Sequence, residues 1–297
     1  MDKRQILTDL IKRPGVILVP GVYDALTARI AERAGFEAIF ATGAGISNAH
    51  LGLGDVGLLT VDELLRTIKP ICEVTKAPLI VDADTGFGGY LNVRRTIREL
   101  EQAGAAAITL EDQMFPKRCG HFRGKRMVAV GEMIGRLSAA LDARQDKRFL
   151  IIARTDARAS EGLEAAIERV HRYFEAGADI GFVEAPQTVE EVHAVADAFK
   201  GKPMLLNLVE GGKTPLFSTV ELDQMGFKIM LCANTALRSA IKAVGQAMAA
   251  LKEDGAQKRT QTMICTWQER QSIVESESLM DLEIQYDRIA TGEDAKK

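Results

Sequence analysis

Three acidic residues stand at the ends of two apolar runs that have the length of β-strands. Asp82 and Asp84 follow residues 79–81, and Glu111 follows residues 107–110. If the first strand continues through Asp84, the spacing of two puts both carboxylates on one side. Two acids on one wall repel each other unless a cation lies between them, and such oxygen ligands suit Mg²⁺. One acid alone could be a helix cap or part of an ion pair, but three together favour a metal site.

A basic segment lies a few residues beyond Glu111 and reads Lys117-Arg118-Cys119-Gly120-His121. Neighbouring cations lower the pKa of a thiol, so Cys119 could act as a nucleophile or, when protonated, as a general acid. The segment could also be a solvated loop with an incidental cysteine. The other three cysteines have no CxxC spacing and are interpreted as structural free thiols. The four histidines are scattered and form no HExxH motif, which argues against zinc.

Further polar residues end other apolar runs and could bind an anion. Arg154 could grip a carboxylate with two parallel hydrogen bonds. The glycine-rich turn Thr42-Gly43-Ala44-Gly45 could present backbone N–H groups to a carboxylate or phosphate. Glu184 and Asn207 end two more runs. Each of these could be structural when taken alone, and only their shared position at strand ends argues for a site.

The elements that must position these residues alternate regularly along the chain. Helical spacing near 24–34, 62–74, 91–103, 130–143, 163–176, 188–199, 217–225 and 235–252 separates eight short apolar runs. The runs predict strands at 16–19, 38–41, 79–82, 107–111, 149–154, 180–184, 204–207 and 229–232.

Eight such units in about 250 residues predict a closed α/β architecture, the (β/α)8 TIM barrel, rather than an open doubly wound sheet. No GxGxxG follows the first strand. Gly35, Gly104 and Gly177 each follow a helical pattern, where a residue with positive φ must end the helix. In a barrel of this kind, polar residues at the carboxyl ends of the strands form the active site.

The chain divides into three predicted parts. Residues 1–255 form the catalytic barrel, 256–290 a C-terminal helical segment, and 291–297 a polar tail that we expect to be disordered. The segment from Trp267 to Tyr286 carries the only tryptophan, although the barrel is complete before it. It could lie on its own barrel or on a neighbouring subunit, and the second arrangement would make the protein an oligomer.

Composition excludes several classes of function. The net charge of −3 gives no basic footprint for nucleic acid. No apolar run approaches the roughly 20 residues of a membrane span, and the N-terminus lacks the apolar core of a signal peptide. We therefore expect no nucleic-acid or membrane partner and a cytoplasmic location.

The ordered motifs of the chain resemble those of the isocitrate lyase/phosphoenolpyruvate mutase superfamily. The resemblance runs from about Gly21 to the C-terminal helical segment. It is carried by Pro20-Gly21-Val22-Tyr23-Asp24, Leu51-Gly52-Leu53-Gly54-Asp55, Val81 to Gly86, Glu111-Asp112-Gln113, Lys117 to His121, Ala153-Arg154-Thr155-Asp156, and Asn207 with Thr214-Pro215.

This resemblance implies a barrel whose last helix is exchanged between subunits of a homo-oligomer, either a dimer or a homotetramer. It also implies Mg²⁺, with Mn²⁺ as a possible substitute, held through Asp82, Asp84 and Glu111, partly by bridging water, with Asp55 nearby. In the lyase branch the cysteine that matches Cys119 lies on a mobile gating loop. The phosphonomutase branch generally lacks this motif, so its presence points to carbon–carbon cleavage.

The implied activity is a Mg²⁺-dependent retro-aldol cleavage of a 2-hydroxy di- or tricarboxylate, of the 2,3-dimethylmalate or 2-methylisocitrate type. The products would be a 2-oxo acid such as pyruvate and a second carboxylate. The segment from Asn207 to Pro215 looks closer to the dimethylmalate lyase and petal death protein group than to 2-methylisocitrate lyase. One departure concerns specificity: relatives usually have Tyr-Pro where this chain has Cys232-Ala233-Asn234-Thr235.

The residues take the following expected roles. The predicted catalytic residues are Cys119, Tyr23, Arg154, Glu184 and His121. Cys119 donates a proton to the departing carbanion. The sequence does not identify the base that removes the hydroxyl proton, for which Tyr23 and Glu184 are candidates. The substrate carboxylates are bound by Thr42, Gly43, Ala44, Lys117, Gly120, His121, Arg154 and Asn207. The rival functions are an oxaloacetate hydrolase, a carboxyphosphonoenolpyruvate-type mutase, and a catalytically silent barrel that acts as a binding protein.

Overall fold

Eight parallel strands close into a barrel in chain order. The structure is a computed structural model that describes residues 2–118, 120 and 124–291. Strand β1 pairs with β8 from Ile17 opposite Ile229 to Pro20 opposite Cys232, and this pairing closes the sheet. The predicted TIM barrel is therefore confirmed. The strands are β1 Ile17–Val22, β2 Ile39–Ala41, β3 Leu79–Asp82, β4 Ala107–Glu111, β5 Leu150–Thr155, β6 Ile180–Val183, β7 Met204–Asn207 and β8 Ile229–Cys232.

The helices follow the strands as the spacing of apolar residues predicts, with two additions. One is an N-terminal helix, α1, and the other is a short helix, α3, that continues into a π-helical turn over Ser47–Leu51. Gly35, Gly104 and Gly177 take positive φ after α2, α5 and α7, as expected. The helices are α1 Lys3–Lys12, α2 Ala25–Arg33, α3 Gly43–Ile46, α4 Val61–Val74, α5 Tyr90–Gln102, α6 Val130–Ala143, α7 Leu163–Glu175, α8 Val189–Ala198, α9 Thr219–Met225, α10 Thr235–Asp254, α11 Trp267–Ile273 and α12 Ser276–Thr291.

Two hydrophobic cores hold the barrel. The larger one lies between the strands and the surrounding helices. The smaller one fills the barrel interior with side chains such as Phe40 and Phe182, and Leu7 and Leu10 of α1 belong to it. Helix α1 therefore plugs the interior, and each fully buried leucine side chain contributes on the order of 2 kcal/mol. The plug lies at the amino ends of the strands because Ile17 at the start of β1 shares its core.

The carboxyl end of β3 differs from the sequence prediction. The strand ends at Asp82, and Asp84 takes a positive φ of 47°. The expectation that Asp84 shares a strand face with Asp82 is therefore wrong. A tight turn brings the two residues together instead, and the backbone N–H of Asp84 donates to Asp82 Oδ1 at 3.2 Å.

The chain forms two compact units, Met1–Arg238 and Ser239–Lys297. The first contains all eight strands of the barrel. The second contains most of α10 together with α11 and α12, and it leaves large apolar side chains exposed, including Trp267 at 63%. The predicted boundary at residue 255, the exchanged segment and the disordered tail stay predictions. No helix within the described ranges is long and apolar enough to span a membrane.

Candidate active site

A small pocket of about 40 Å³ lies at the carboxyl ends of the strands. This is the end at which TIM-barrel enzymes carry their chemistry. The top layer of the barrel interior forms the floor, and charged side chains form the walls. The lining residues are Phe40, Thr42, Ala44, Asp55, Asp82, Lys117, Gly120, Arg154, Phe182, Glu184, Asn207, Leu231, Ala233 and Asn234. Most of the side chains predicted to form a site are therefore gathered in one cavity.

Lys117 lies among the four carboxylates that were predicted to hold a metal. Its ammonium nitrogen is 2.6 Å from Asp55 Oδ1 and 2.5 Å from Asp84 Oδ1, and the residue is only 3% exposed. Burial alone would lower the pKa of this lysine. The negative charges of four carboxylates outweigh the effect of burial and raise the pKa of Lys117 well above its ordinary value, so Lys117 stays protonated. These carboxylates belong to Asp84, Glu111, Asp82 and Asp55.

Asp82 and Asp84 converge below the start of α3. Asp82 accepts hydrogen bonds from the Gly43 amide at 3.3 Å and from Thr109 Oγ1 at 3.3 Å. A Cβ on Gly43 would stand 2.9 Å from Asp82 Oδ2, so only glycine allows this approach. Burial raises the pKa of Asp84 to about 7, against the opposing charge of Lys117. The Gly43 amide, predicted to bind substrate, is thus directed at a carboxylate, and Gly43 does not line the pocket.

Arg154 is a second cation of the site, and its side chain is 12% exposed. Its Nε lies 2.9 Å from Asp156 Oδ2 and 3.4 Å from Glu111 Oε2, and its terminal nitrogen is 3.6 Å from Glu184 Oε2. Burial raises the pKa of Glu111 well above its ordinary range, and Arg154 opposes this shift. Glu111 Oε1 is buried and has no hydrogen-bond partner among the described residues. The guanidinium therefore joins the ends of β4, β5 and β6.

Gly120 of the basic segment lies against Arg154. Lys125 donates from its ammonium group to the Gly120 carbonyl at 2.5 Å and to Asp156 Oδ1 at 2.7 Å. A Cβ on Gly120 would collide with Arg154 and stand 2.8 Å from the Glu184 side chain, so a larger residue would lift the segment. Cys119 and His121, predicted as catalytic, lie outside the described residues.

The remaining predicted residues are divided between the pocket and its surroundings. Thr42, Ala44 and Asn207 line the pocket, and Asn207 Oδ1 is buried without a partner in the described part of the chain. Tyr23 is not among the lining residues, and burial raises its pKa. A raised pKa makes the phenolate, which is the basic form, harder to reach.

Four residues of the site were not assigned a role from the sequence. Lys125 and Asp156 hold the basic segment as described above, and Gln113 exchanges two hydrogen bonds with the backbone of Arg118. Asp112 accepts from Thr155 Oγ1 at 2.6 Å and from the Asp156 amide at 3.0 Å. All four stand within or beside the motifs quoted from the sequence, so their positions marked them as candidates. Their hydrogen-bond and ion-pair partners could not be predicted from the sequence.

The donor set fits a hard divalent cation. Carboxylate oxygens at an open pocket are the ligands that Mg²⁺ prefers, and it completes its shell with water. Across residues 2–118, 120 and 124–291, no three His, Cys, Asp or Glu side chains stand in an arrangement that would ligate one ion directly. The Lys117 ammonium instead bridges Asp55 and Asp84 as a resident cation.

A family model described as phosphoenolpyruvate phosphomutase matches residues 7–252. The chain belongs to this family. It is 41% identical over 292 residues to 2,3-dimethylmalate lyase of Eubacterium barkeri, covering 98% of this chain and 100% of that protein. It is 45% identical over 253 residues to 2-methylisocitrate lyase of Aeropyrum pernix, covering 85% of this chain and 81% of that protein.

Solved structures of the phosphomutase family agree with this assignment. A crystal structure of 2,3-dimethylmalate lyase superposes with a TM-score of 0.91 at 36% identity, covering 96% of each chain. Oxaloacetate acetylhydrolase with 3,3-difluorooxalacetate gives 0.91 at 33% identity, covering 96% and 97%. Phosphonopyruvate hydrolase with oxalate and Mg²⁺ gives 0.87 at 30% identity, covering 96% and 99%. The predicted superfamily is confirmed, and so is the prediction of a carbon–carbon lyase.

Proposed function

We propose that this phosphomutase-family protein is a Mg²⁺-dependent lyase that cleaves a 2-hydroxy di- or tricarboxylate to a 2-oxo acid such as pyruvate and a second carboxylate. The observation that carries the proposal is the pocket itself, in which Asp55, Asp82 and Glu184 face Lys117 and Arg154. A site with carboxylates on one wall and a fixed guanidinium on another suits an anionic substrate bound beside a metal ion.

Four carboxylates would hold the metal ion, directly or through water: Asp82, Asp84, Glu111 and Asp55. When bound, Mg²⁺ supplies Lewis-acid polarisation of the substrate's hydroxyl and adjacent carboxylate oxygens. Its double charge would also offset the burial that raises the pKa values of Asp84 and Glu111.

Glu184 is the better of the two candidate bases. Its carboxylate lines the pocket beside Arg154, whereas Tyr23 lies outside the lining and has a raised pKa. In the proposed reaction Glu184 removes the hydroxyl proton, the new carbonyl forms, and the carbon–carbon bond breaks. The electron pair of that bond goes to the departing carboxylate fragment, whose oxygens Arg154 stabilises. Cys119 then gives its proton to the carbanion.

The floor of the pocket supports a substrate with an alkyl group. Phe40, Phe182 and Leu231 present apolar surface there, and a methyl group placed against it would gain about 0.8 kcal/mol. Ala233 and Asn234, at the position of the departure from the Tyr-Pro pattern, line the same pocket. We propose 2,3-dimethylmalate as the preferred substrate type and 2-methylisocitrate as the second.

Hydrolysis of oxaloacetate is the alternative that a specific observation favours. The fold superposes on oxaloacetate acetylhydrolase as well as on 2,3-dimethylmalate lyase, with a TM-score of 0.91 in both cases. In that reaction water would add to the keto carbon of oxaloacetate, the adjacent carbon–carbon bond would break, and oxalate and, after protonation of the departing carbanion, acetate would be the products.

A substrate panel tests the proposed function. The protein is incubated with 2,3-dimethylmalate, 2-methylisocitrate, isocitrate and oxaloacetate, and pyruvate, glyoxylate and oxalate are measured. Pyruvate from a methylated hydroxy acid is the expected result, and oxalate from oxaloacetate would favour the alternative. EDTA should abolish turnover, and Mg²⁺ or Mn²⁺ should restore it. Full activity after exhaustive chelation would remove the metal from the mechanism.

A further inference from the structure

We infer that Asp112 is a positioning residue of the candidate active site, which fixes the Arg154 guanidinium through Asp156. The inference rests on the proposed function, in which Arg154 stabilises the departing carboxylate fragment. It goes further in assigning a role in that reaction to a side chain that does not line the pocket, and to the helix that holds this side chain, α7.

The carboxylate of Asp112 is fully buried and is bound from two sides. Asp112 directly follows β4 and is 0% exposed. From the end of β5, Thr155 Oγ1 donates to Asp112 Oδ2 at 2.6 Å, and the Asp156 amide donates to Oδ1 at 3.0 Å. From α7, the Tyr173 hydroxyl donates to Oδ2 at 2.8 Å, and Arg169 Nη1 lies 3.4 Å from the same oxygen. The carboxylate therefore joins the end of β5 to α7.

The donors on α7 are themselves held in place. Tyr173 is 0% exposed and Arg169 is 7% exposed. Arg169 donates from two nitrogens to the Glu161 carboxylate, each at 2.9 Å, and from its third to the Val128 carbonyl at 3.0 Å. A buried carboxylate whose oxygens accept from several fixed donors has little freedom to turn. Asp112 is therefore a rigid support beside the site.

Asp156 connects this support to two parts of the site. Its amide is bound to Asp112, and its carboxylate accepts from Arg154 Nε at 2.9 Å and from Arg154 Nη2 at 3.0 Å. The same carboxylate accepts from Lys125, which also donates to the Gly120 carbonyl. Two parallel hydrogen bonds fix the plane of a guanidinium group. A shift of the Asp156 backbone would therefore turn Arg154.

The orientation of Arg154 matters most in the transition state. Its charge must meet substrate oxygens on which negative charge grows as the carbon–carbon bond breaks. A displacement of about 1 Å in a reacting geometry can lower the rate by about a hundredfold. Loosening of Asp112 should therefore lower kcat. It should change KM less, because an interaction that strengthens in the transition state contributes little to binding of the ground state.

Two variants loosen Asp112, and a third is the matched control. Tyr173→Phe removes one hydroxyl group from the support and keeps the buried ring. Asp112→Asn keeps the shape of the side chain but removes an acceptor oxygen and the charge. Val170→Ala is the control: Val170 is 0% exposed on the same helix and lies near Gly181 of β6. Val170→Ala thus weakens the packing of α7 and leaves every hydrogen bond of Asp112 in place.

The first test is steady-state kinetics with the best substrate of the panel, at a temperature at which every variant is folded. We expect Tyr173→Phe to lower kcat by about tenfold while KM stays within about threefold of wild type. Asp112→Asn should lower kcat at least as far, and Val170→Ala should keep the wild-type kcat. Near-normal kcat in Tyr173→Phe, or an equal loss in Val170→Ala, would overturn the inference.

Hydrogen exchange at the Asp156 amide is a second test that does not depend on turnover, since this amide donates to Asp112. Site-resolved mass spectrometry compares it with the amides of β5. In Tyr173→Phe, exchange at Asp156 should rise by about fivefold or more relative to β5, because its acceptor is less firmly held. In Val170→Ala, any rise should be shared by all these amides.

The two tests separate failure of the inference from failure of the proposed function. A rise in Tyr173→Phe that is equal at Asp156 and across β5, or no rise at all, would show that Asp112 does not fix Asp156. If the wild type turns over no substrate of the panel, the proposed function fails, and the exchange experiment still decides whether Asp112 holds Asp156 in place.

Discussion

Lys117 and Lys125 are buried, the Arg154 side chain is 12% exposed, and each of these cations pairs with carboxylates at or near the carboxyl ends of the strands. Removing one partner from such a group leaves an uncompensated charge in the protein interior, which typically costs about 3–5 kcal/mol. Exposed ion pairs contribute at most about 1 kcal/mol. The charges of the site are therefore large contributors to stability as well as to chemistry.

The substitution Asp156→Asn tests the contribution of these charges to stability, because Asp156 forms ion pairs with both Arg154 and Lys125. Burial alone would raise the pKa of Asp156, but the two cations hold it well below its ordinary value. A depressed carboxyl pKa stabilises the fold above the unfolded value of about 3.9 and loses that effect as the pH falls below it. We expect a loss of about 3 kcal/mol or more in urea unfolding at pH 7.

The difference between wild type and Asp156→Asn should be constant above about pH 5 and shrink in more acidic buffer. Glu37→Gln is the matched control, since Glu37 pairs with Arg13 and both side chains are about half exposed, so the substitution should cost less than about 1 kcal/mol. Equal losses in the two variants would show that the Asp156 cluster is no more stabilising than a surface pair.

Cys119→Ser tests the proposed proton donor. Replacing a thiol by a much weaker acid should lower kcat by about a hundredfold or more, with a smaller change in KM because the carboxylate-binding groups remain. Steady-state kinetics with the best substrate of the panel measures this. Cys265→Ser is the control, since Cys265 is exposed and far along the chain from every motif. Near-normal kcat in Cys119→Ser would exclude the thiol as the donor.

Alkylation by iodoacetamide tests the same cysteine without a mutation. Burial raises the pKa of Cys72 to about 11 and also raises that of Cys232. The thiolate is the reactive form, so both should stay unmodified at pH 8, and Cys72 should react only as the pH approaches 11. Mass spectrometry of the Cys265→Ser variant should then find inactivation in step with label on Cys119. Inactivation with Cys119 unlabelled would contradict its role.

Among the elements, the strands were predictable from the sequence to within one to three residues at either end. Their apolar runs are buried on both faces, and glycine ends several of the preceding helices, so local pattern and final environment agree. The short helix α3 was predicted only as a turn, because Gly43 and Gly45 are poor helix formers and tertiary contacts decide their conformation. Strand β3 ends at Asp82 as predicted, but the shared face of Asp82 and Asp84 required the strand to continue through Asp84, which instead adopts a positive φ that no periodicity reveals.

The composition of the site was predictable, but the contacts within it were not. That residues from different strand ends share one pocket follows from barrel topology. That Lys117 reaches Asp55 and Asp84, while Lys125 reaches Asp156, depends on how one loop folds back over the barrel. The spacing of residues along the sequence does not show which carboxylate each lysine reaches.

Gly43→Ala tests how closely α3 must approach the metal site. The added Cβ would stand 2.9 Å from Asp82 Oδ2, so the Asp82 carboxylate must move. We expect Mn²⁺ affinity, measured by electron paramagnetic resonance of the free ion, to fall by about tenfold or more, with little change in melting temperature, because alanine favours the helix. Gly54→Ala is the control, since nothing lies within 4 Å of its added Cβ. Unchanged Mn²⁺ affinity in Gly43→Ala would show that the approach is not needed.

At the scale of the whole molecule, the second compact unit exposes many large apolar side chains. Trp267, Leu279 and Ile289 are all more than half exposed, and large contiguous apolar surface commonly marks an interface. We propose that this surface is covered in a homo-oligomer, in which the C-terminal segment is exchanged between subunits.

Deletion of residues 266–297 tests this proposal. Loss of an exchanged segment should leave its apolar seat on the neighbouring subunit uncovered, so the truncated protein should aggregate or dissociate. Light scattering measures the mass and calorimetry the melting temperature. An oligomer of unchanged size that melts at the same temperature would show that the segment is not exchanged.

The stabilising contacts of helix α1 and the candidate active site lie at opposite ends of the barrel, and this separation matters to protein engineering. Leu7 and Leu10 of this helix close the interior at the amino ends of the strands, while all the chemistry proposed here lies at the opposite rim. Evolved enzymes often lose activity when they are made more rigid near the site. Substitutions that improve the packing of this plug, or the exposed face of its helix, should raise heat resistance without that trade-off. Libraries aimed at new substrates could then be built at Ala233 and Asn234 on a stabilised parent.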